Sequence, residues 1–182
     1  MQNVRVFFEK TGMTKYISHL DLMRCMTRAI KRAAIPAWYT EGFNPHLFIT
    51  FALPLTLGVE SLCESMDIRL TEEMGFEEVK NRLNVNLPDG IRITNVAVPV
   101  YKANDIAFAE HKITFHTRKN EKIKNEIEEK LLCDELLAEK MGKQGKRKVL
   151  KTINLKEFVN SYSVISLNDK TVLTAVLTAG SK

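Results

Sequence analysis

The chain has 182 residues, of which 45% are hydrophobic and 27% are charged, and its formal net charge at pH 7 is +5. A chain of this length and apolar content can bury one substantial core or two small ones, so disorder is not the default expectation. No apolar run approaches the roughly 20 residues of a membrane-spanning helix, so we expect no membrane partner, while the positive charge suits an anionic one.

The first predicted elements are a strand and a helix. Residues 4–9, VRVFFE, have the alternation of a half-buried strand. Ser18, with Asp21 three residues later, is a helix start signal, because the serine hydroxyl can accept a hydrogen bond from a free backbone N–H of the first turn. The apolar side chains between Leu20 and Ala34 then recur at helical spacing, which predicts a helix with one broad face on the core.

The opposite face of this helix carries four cations, and no acid lies between them in the sequence. They are Arg24, Arg28, Lys31 and Arg32. Side chains three or four residues apart project from neighbouring turns on the same side of a helix. Such a basic face suits the phosphates of a nucleic acid, and a solvated helix surface is the alternative interpretation.

A loop with the sequence AWYTEGFNPH follows the helix. Its glycine permits a positive φ, and its Asn-Pro step favours a turn. Aromatic side chains beside cations indicate nucleotide binding, so Tyr39, Phe43 and Asn44 are candidate RNA-binding residues. The alternative is that the aromatic side chains only cover the core.

The rest of the first half completes a recognisable order of elements. The pattern predicts strands over residues 47–53, 65–70 and 91–100 and a second helix over residues 76–87. The order strand, helix, strand, strand, helix, strand is the βαββαβ pattern of ferredoxin-like domains. We predict such a domain over residues 1–102.

The second half begins the same order again. Strands are predicted over residues 111–117, 147–155, 161–167 and 171–178. A charged helix is predicted from Asn120 to Met141, with Leu132 and Leu137 among its inward-facing residues. We therefore predict an α+β fold of tandem ferredoxin-like units, of which the second, residues 108–182, lacks its last helix and strand. An unpaired strand edge would remain there, through which copies of the chain could self-associate.

The segment from Lys140 to Lys156 contains seven basic residues and no acid. Its candidate phosphate contacts are Lys143, Lys146, Arg147, Lys148 and Lys151. The alternative is a solvated β-hairpin edge, where lysines discourage edge-to-edge pairing.

Three blocks of the first half resemble the signature of the radical-SAM-linked protein family, a bacterial domain of unknown function. They are SHLDLMR at residues 18–24, EGFNPH at residues 41–46, and PL with LGVE within residues 54–60. Members of that family are encoded beside, or fused to, radical S-adenosylmethionine iron-sulfur proteins, commonly near genes for ribosomal proteins and an RNase. The resemblance, close as far as about residue 100, implies an RNA-associated setting, no established reaction, and a native chain that continues beyond Lys182.

The number and spacing of the cysteines indicate that any cofactor is bound by a partner and not by this chain. Cys25, Cys63 and Cys133 are far apart and odd in number, so they form neither a disulfide framework nor a CxxC knuckle. We predict no cofactor or metal site in this chain, because the cluster of a radical SAM enzyme needs three closely spaced cysteines. The radical SAM partner is expected to carry the iron-sulfur cluster and S-adenosylmethionine. A chain of reduced cysteines without a secretory pattern is expected in the cytoplasm.

Three functions are compatible with these observations. The first is an RNA-binding accessory module that presents tRNA or rRNA to a radical SAM modifying enzyme. The second is a metal-independent RNA endonuclease or RNA-modifying subunit in which His19 and His46 act as acid or base. The third is a protein adaptor without nucleic-acid affinity, which would use the acidic middle segment, residues 61–110, and the C-terminal edge.

Overall fold

The computed structural model describes residues 1–144 and 147–180. Lys146 and the side chains of Lys143 and Arg147 lie outside this description. The chain divides into two compact units, of which the first runs from Met1 to Asp105 and the second begins at Ile106. Both combine α-helices with antiparallel strands, so the predicted α+β class is confirmed. None of the helices in the described ranges is long and apolar enough to cross a membrane.

The first unit contains four strands and two α-helices in the predicted order. They are β1 (Gln2–Lys10), α1 (His19–Arg32), β2 (Ile49–Phe51), β3 (Ser61–Leu70), α2 (Phe76–Asn86) and β4 (Ile91–Ala97). The sheet has the order β2-β3-β1-β4, and each neighbouring pair is antiparallel. The second strand is shorter than its apolar run predicts, because only three of its residues pair with β3.

Alternate residues of β1 and β3 are buried and form the floor of the core. Val4, Val6 and Phe8 are fully buried, as the alternation of the first strand predicts. α1 packs its buried residues Leu22, Met26, Ala29 and Ile30 into the same core, and α2 contributes Val79 and Leu83. Leu20, the first apolar residue of the predicted helix face, is half exposed instead. The ridge from Leu22 to Ile30 therefore sets the rotation of α1 about its axis.

The described residues of the second unit form one α-helix and five strands. They are β5 (Phe108–His116), α3 (Asn120–Leu132), β6 (Leu137–Gln144), β7 (Arg147–Asn154), β8 (Val159–Leu167) and β9 (Lys170–Thr178). β5, β9 and β8 form a sheet in that order, whereas β6 and β7 pair with each other as a separate hairpin. The predicted second ferredoxin-like repeat is not confirmed, because β6 and β7, the first two strands after the helix, pair with each other and do not join the sheet of β5, β9 and β8.

The predicted helix from Asn120 to Met141 is wrong in its C-terminal half. α3 ends at Leu132, and β6 begins at Leu137. The backbone N–H of Leu136 donates to the side-chain oxygen of Asn154 at 2.9 Å, and Leu137 pairs with Asn154 across the hairpin. Because of this hairpin pairing, the residues from Leu137 onward form a strand where a helix was predicted. Leu132 and Leu137 are consequently exposed rather than directed inward.

Candidate nucleic-acid interface

The basic face of α1 is oriented by the two ends of the helix and by its buried ridge. The Ser18 hydroxyl oxygen accepts from the Asp21 backbone N–H at 3.1 Å, so the predicted start signal is a real N-cap. At the other end, Ala34 adopts a positive φ of 50° and terminates the helix. The four predicted cations, Arg24, Arg28, Lys31 and Arg32, are all exposed.

Three of these arginines line an open groove of about 480 Å³. Arg24, Arg28 and Arg32 form one wall together with Asp21 and the half-buried Cys25. The other wall is the segment at the end of α2, Val85, Asn86, Leu87 and Pro88. Arg24 and Arg32 are eight residues apart in the helix, which corresponds to about 12 Å along the axis. We call this site the arginine groove.

The arginine groove carries an excess of positive charge. Arg24 forms an exposed ion pair with Asp21 at 3.1 Å, so one of the predicted cations has an acidic neighbour. Hydrogen bonds from the Ser18 hydroxyl and the Arg24 guanidinium lower the pKa of Asp21. Within residues 1–144 and 147–180, no carboxylate lies within ion-pair distance of Arg28 or Arg32. These two guanidinium groups are therefore available to an anionic ligand, and guanidinium binds phosphate through two parallel hydrogen bonds.

Cys25 is not an activated nucleophile in this groove. Burial raises the pKa of its thiol, although the charges of Arg32 and Arg28 act in the opposite direction. A reactive cysteine needs the thiolate form at neutral pH. The groove therefore offers cations for binding rather than a nucleophile for chemistry.

The loop after α1 lies beside the basic face and contains two aromatic arrangements. In the first, the Arg69 guanidinium lies 5.0 Å from the Trp38 ring and 5.2 Å from the Phe48 ring. In the second, the Lys31 ammonium lies 5.4 Å from the centre of the Tyr39 ring. Trp38 is thus occupied by a contact within the unit, whereas Tyr39 extends the basic face toward the loop.

The two predicted histidines have different surroundings. His46 lies in the loop, where its Nδ1 is 3.0 Å from the Thr40 hydroxyl oxygen. His19 is the first residue of α1, and its ring packs edge-on against Phe51 at 5.0 Å. The His19 Nδ1 is buried, and no described residue provides a hydrogen-bond partner for it. Among the hydrogen bonds of the described residues, none joins the two imidazoles, and their catalytic role stays a prediction.

A pair of buried charged residues near the start of α1 is absent from the sequence predictions. Lys10 is 1% exposed and Glu64 is 9% exposed, and both lie on the helix-covered face of the sheet. Burial lowers the pKa of Lys10, which the Glu64 charge only partly offsets, and burial raises the pKa of Glu64. The Lys10 ammonium donates a long hydrogen bond, 3.4 Å, to the Lys15 carbonyl. The strand alternation that places Val4, Val6 and Phe8 inward also places Lys10 inward, and this signal could have found it.

The basic segment of the second unit forms the hairpin β6–β7. Lys148 and Lys151 are exposed on β7, and Lys151 lies directly opposite Lys140. Like charges directly opposite one another destabilise a strand pair, so an anion bound there would relieve the repulsion. The segment is a β-hairpin, the structure of the alternative interpretation, and its phosphate contacts stay a prediction.

Three further findings concern metal binding and the relatives of this chain. In the part of the chain that the structure describes, no group of three His, Cys, Asp or Glu side chains is arranged to hold a metal ion. The model of a family described as "Uncharacterized protein conserved in bacteria (DUF2344)" matches residues 3–182. No curated protein matches the sequence.

Proposed function

The chain belongs to this uncharacterized bacterial family, and we propose that within it the chain acts as an RNA-binding accessory module. The observation that carries the proposal is the arginine groove. Three guanidinium groups line one groove with a single carboxylate, and that carboxylate already interacts with Ser18 and Arg24. Arg28 and Arg32 are left for phosphates.

Several features favour a polymer over a small anion. The groove is open and about 12 Å long on its arginine side, which is longer than one phosphate group. Lys31 and Tyr39 extend the surface beyond the groove. The hairpin of the second unit has exposed cations of its own, Lys148 and Lys151. The assignment to tRNA or rRNA rather than to DNA rests on the resemblance of the SHLDLMR, EGFNPH and LGVE blocks.

The partner in this proposal is a radical SAM enzyme that modifies the bound RNA. The chain itself does not fit an iron-sulfur cluster, because its cysteines are far apart in sequence and Cys25 is partly buried in the arginine groove. The partner therefore supplies the cluster, S-adenosylmethionine and the reaction. The chain supplies the surface that holds the RNA.

The test is fluorescence anisotropy with tRNA, rRNA fragments and duplex DNA across a salt series. We expect RNA affinity to fall steeply with salt, because each neutralised phosphate releases counterions. The double variant Arg24→Ala, Arg28→Ala should weaken binding and flatten the slope by about two units. A matched control, Arg92→Ala with Lys102→Ala, removes the same charge from exposed positions outside the groove.

Two outcomes would contradict the proposal. Equal effects of the groove variant and the control would show that only net charge matters. Absence of binding at low salt would favour the adaptor without nucleic-acid affinity, and capture of a radical SAM partner would then be the next measurement.

A catalytic role is the second candidate, because the His19 Nδ1 is buried and no described residue provides a hydrogen-bond partner for it. An imidazole whose ring nitrogen reaches a 2′-hydroxyl can act on it as acid or base. In this alternative, RNA incubated with the protein and a metal chelator is cleaved or modified, and His19→Ala abolishes the product while binding persists. RNA that is recovered intact from the wild-type protein would contradict it.

A further inference from the structure

The loop from Thr40 to His46 is closed by hydrogen bonds between its two ends. The Thr40 backbone N–H donates to the His46 carbonyl at 2.8 Å, and the His46 backbone N–H donates to the Thr40 hydroxyl oxygen at 3.1 Å. The His46 Nδ1 lies 3.0 Å from that hydroxyl and 3.2 Å from the Asn44 carbonyl oxygen. Gly42 adopts a φ of 114°, which glycine tolerates and other residues rarely adopt. These contacts restrict the conformations of the residues between the two ends.

The closed loop places the ring of Phe43 entirely in solvent. Phe43 has a relative exposure of 112%, the largest among the exposed apolar residues of the described chain. Burial of a phenyl ring stabilises a protein by roughly 1.5–3 kcal/mol, and the folded chain does not gain this free energy at Phe43. Single exposed apolar side chains are common on protein surfaces, so the exposure of Phe43 has meaning only through its surroundings.

Those surroundings connect Phe43 to the basic face of α1. Lys31 lies on the same face of the helix as Arg24 and Arg28, and its ammonium contacts the Tyr39 ring at 5.4 Å. Tyr39 directly precedes Thr40, where the closed loop begins. A row of cations therefore leads to the base of a loop that presents an aromatic ring. Proteins that bind single-stranded nucleic acids combine these two parts, a basic track for phosphates and rings on which bases stack.

We infer that Phe43 is a stacking platform for an unpaired base of an RNA whose phosphates lie along the basic face of α1. This inference rests on the proposed function and adds the class of substrate. In a duplex, each base face is covered by its neighbours, so a protein ring reaches it only where the RNA is single-stranded, looped or bulged. The Thr40–His46 contacts position the ring and do not touch the base.

The experiment compares one RNA strand in two states. A 12-nucleotide strand with a central 2-aminopurine is titrated alone and annealed to its complement. We expect the single strand to bind more tightly and its 2-aminopurine fluorescence to be quenched on binding. Phe43→Ala should lower affinity for the single strand by about 5- to 150-fold, the range for loss of one stacked base, and leave duplex affinity unchanged.

Three controls isolate the aromatic ring. Phe43→Tyr keeps the ring and should retain the affinity and the quenching. Phe43→Leu keeps an apolar side chain without the ring and should behave like Phe43→Ala. Met13→Ala removes another exposed apolar side chain of the same unit and should have no effect.

The outcomes separate this inference from the function on which it rests. If Phe43→Ala binds the single strand as tightly as wild type while Arg24→Ala, Arg28→Ala weakens binding, the stacking inference fails and the proposed function stands. If Phe43→Ala weakens single-strand and duplex binding equally, the ring does not read an unpaired base and the inference also fails. If the arginine variant has no effect either, both proposals fail.

Discussion

The two units differ sharply in how much apolar side chain they bury. In the first unit, one cluster of buried apolar residues includes fully buried members of β1, β3 and α2, among them Phe8, Leu70 and Leu83. In the second unit, the buried apolar side chains among its described residues are Val172 and Ala175. The arginine groove and the closed loop both belong to the unit with the large core. A packed core fixes the helix that carries the arginines, which a surface for specific binding requires.

Hydrogen bonds at the start of α3 connect the helix to the sheet of the second unit. The buried Asn120 side chain donates to the carbonyls of Leu167 and Asn168 at 2.8 and 3.0 Å. The Thr171 hydroxyl in turn donates to the Asn120 carbonyl at 3.0 Å. Ile165, on the edge strand β8, is 55% exposed. Self-association through this edge stays a prediction.

The largest expected effect is the loss of core packing in the first unit. Phe8 is fully buried and contacts the Phe51 ring edge-on at 6.1 Å, so Phe8→Ala should lower the free energy of unfolding by about 3–5 kcal/mol. Val172→Ala in the second unit removes less buried volume and should cost at most about 2 kcal/mol. Urea denaturation followed by the fluorescence of Trp38, the single tryptophan, reports on the first unit.

The same denaturation curves can break the comparison. If Val172→Ala shifts the Trp38 transition at all, the two units unfold as one and the small core is not an independent weakness. If only Phe8→Ala shifts it, each unit has its own stability.

A smaller effect is expected from the hydrogen bonds of the second unit. Asn120→Ala removes both side-chain hydrogen bonds to the carbonyls of Leu167 and Asn168, which should cost about 1–3 kcal/mol. Amide hydrogen exchange in β8 and β9 should accelerate accordingly, while exchange in β1 stays unchanged. Asn125→Ala, an exposed position on the same helix, is the control. Equal acceleration by both variants would mean that helix propensity, and not the Asn120 contacts, stabilises this unit.

The sequence predicts those parts of the fold that local patterns determine. The Ser18 cap, the helical spacing after it and the alternation of β1 all depend on residues close in the chain. The end of α3 could not be predicted in this way, because Leu136 and Leu137 fit the helical period as well as a strand. What decides between them is a distant partner, Asn154, whose side chain binds the Leu136 N–H.

In the candidate site, too, local sequence patterns predict some features, whereas others depend on contacts between distant residues. Helical spacing alone places Arg24, Arg28 and Arg32 on one side of α1. The groove needs a second wall, residues 85–88, which packing of α2 beside α1 supplies and no local pattern reveals. The closure of the loop likewise depends on Thr40, which the sequence reasoning did not identify as a partner of His46.

The smallest expected effect concerns the buried Glu64 carboxyl and the change of stability with pH that it causes. Burial raises the pKa of Glu64, and Ser61 and Lys10 offset only part of this. The folded state therefore binds the Glu64 proton more readily than the unfolded state does, and this contribution to stability is present below the ordinary glutamate pKa. As pH rises through the folded-state pKa it is lost, so the free energy of unfolding should fall over that window.

Glu64→Gln tests this assignment, because the amide cannot ionise and should remove the fall with pH. The measurement is the urea midpoint of Trp38 fluorescence at a series of pH values, with exposed Glu72→Gln as the control that keeps the fall. A fall of the same size in Glu64→Gln would assign it to another group. Removal of the fall would assign it to Glu64 and would sharpen the contrast between the units. The large core of the first unit would then hold an ionised carboxylate, whereas the described residues of the second unit form no core large enough to bury one in the same way.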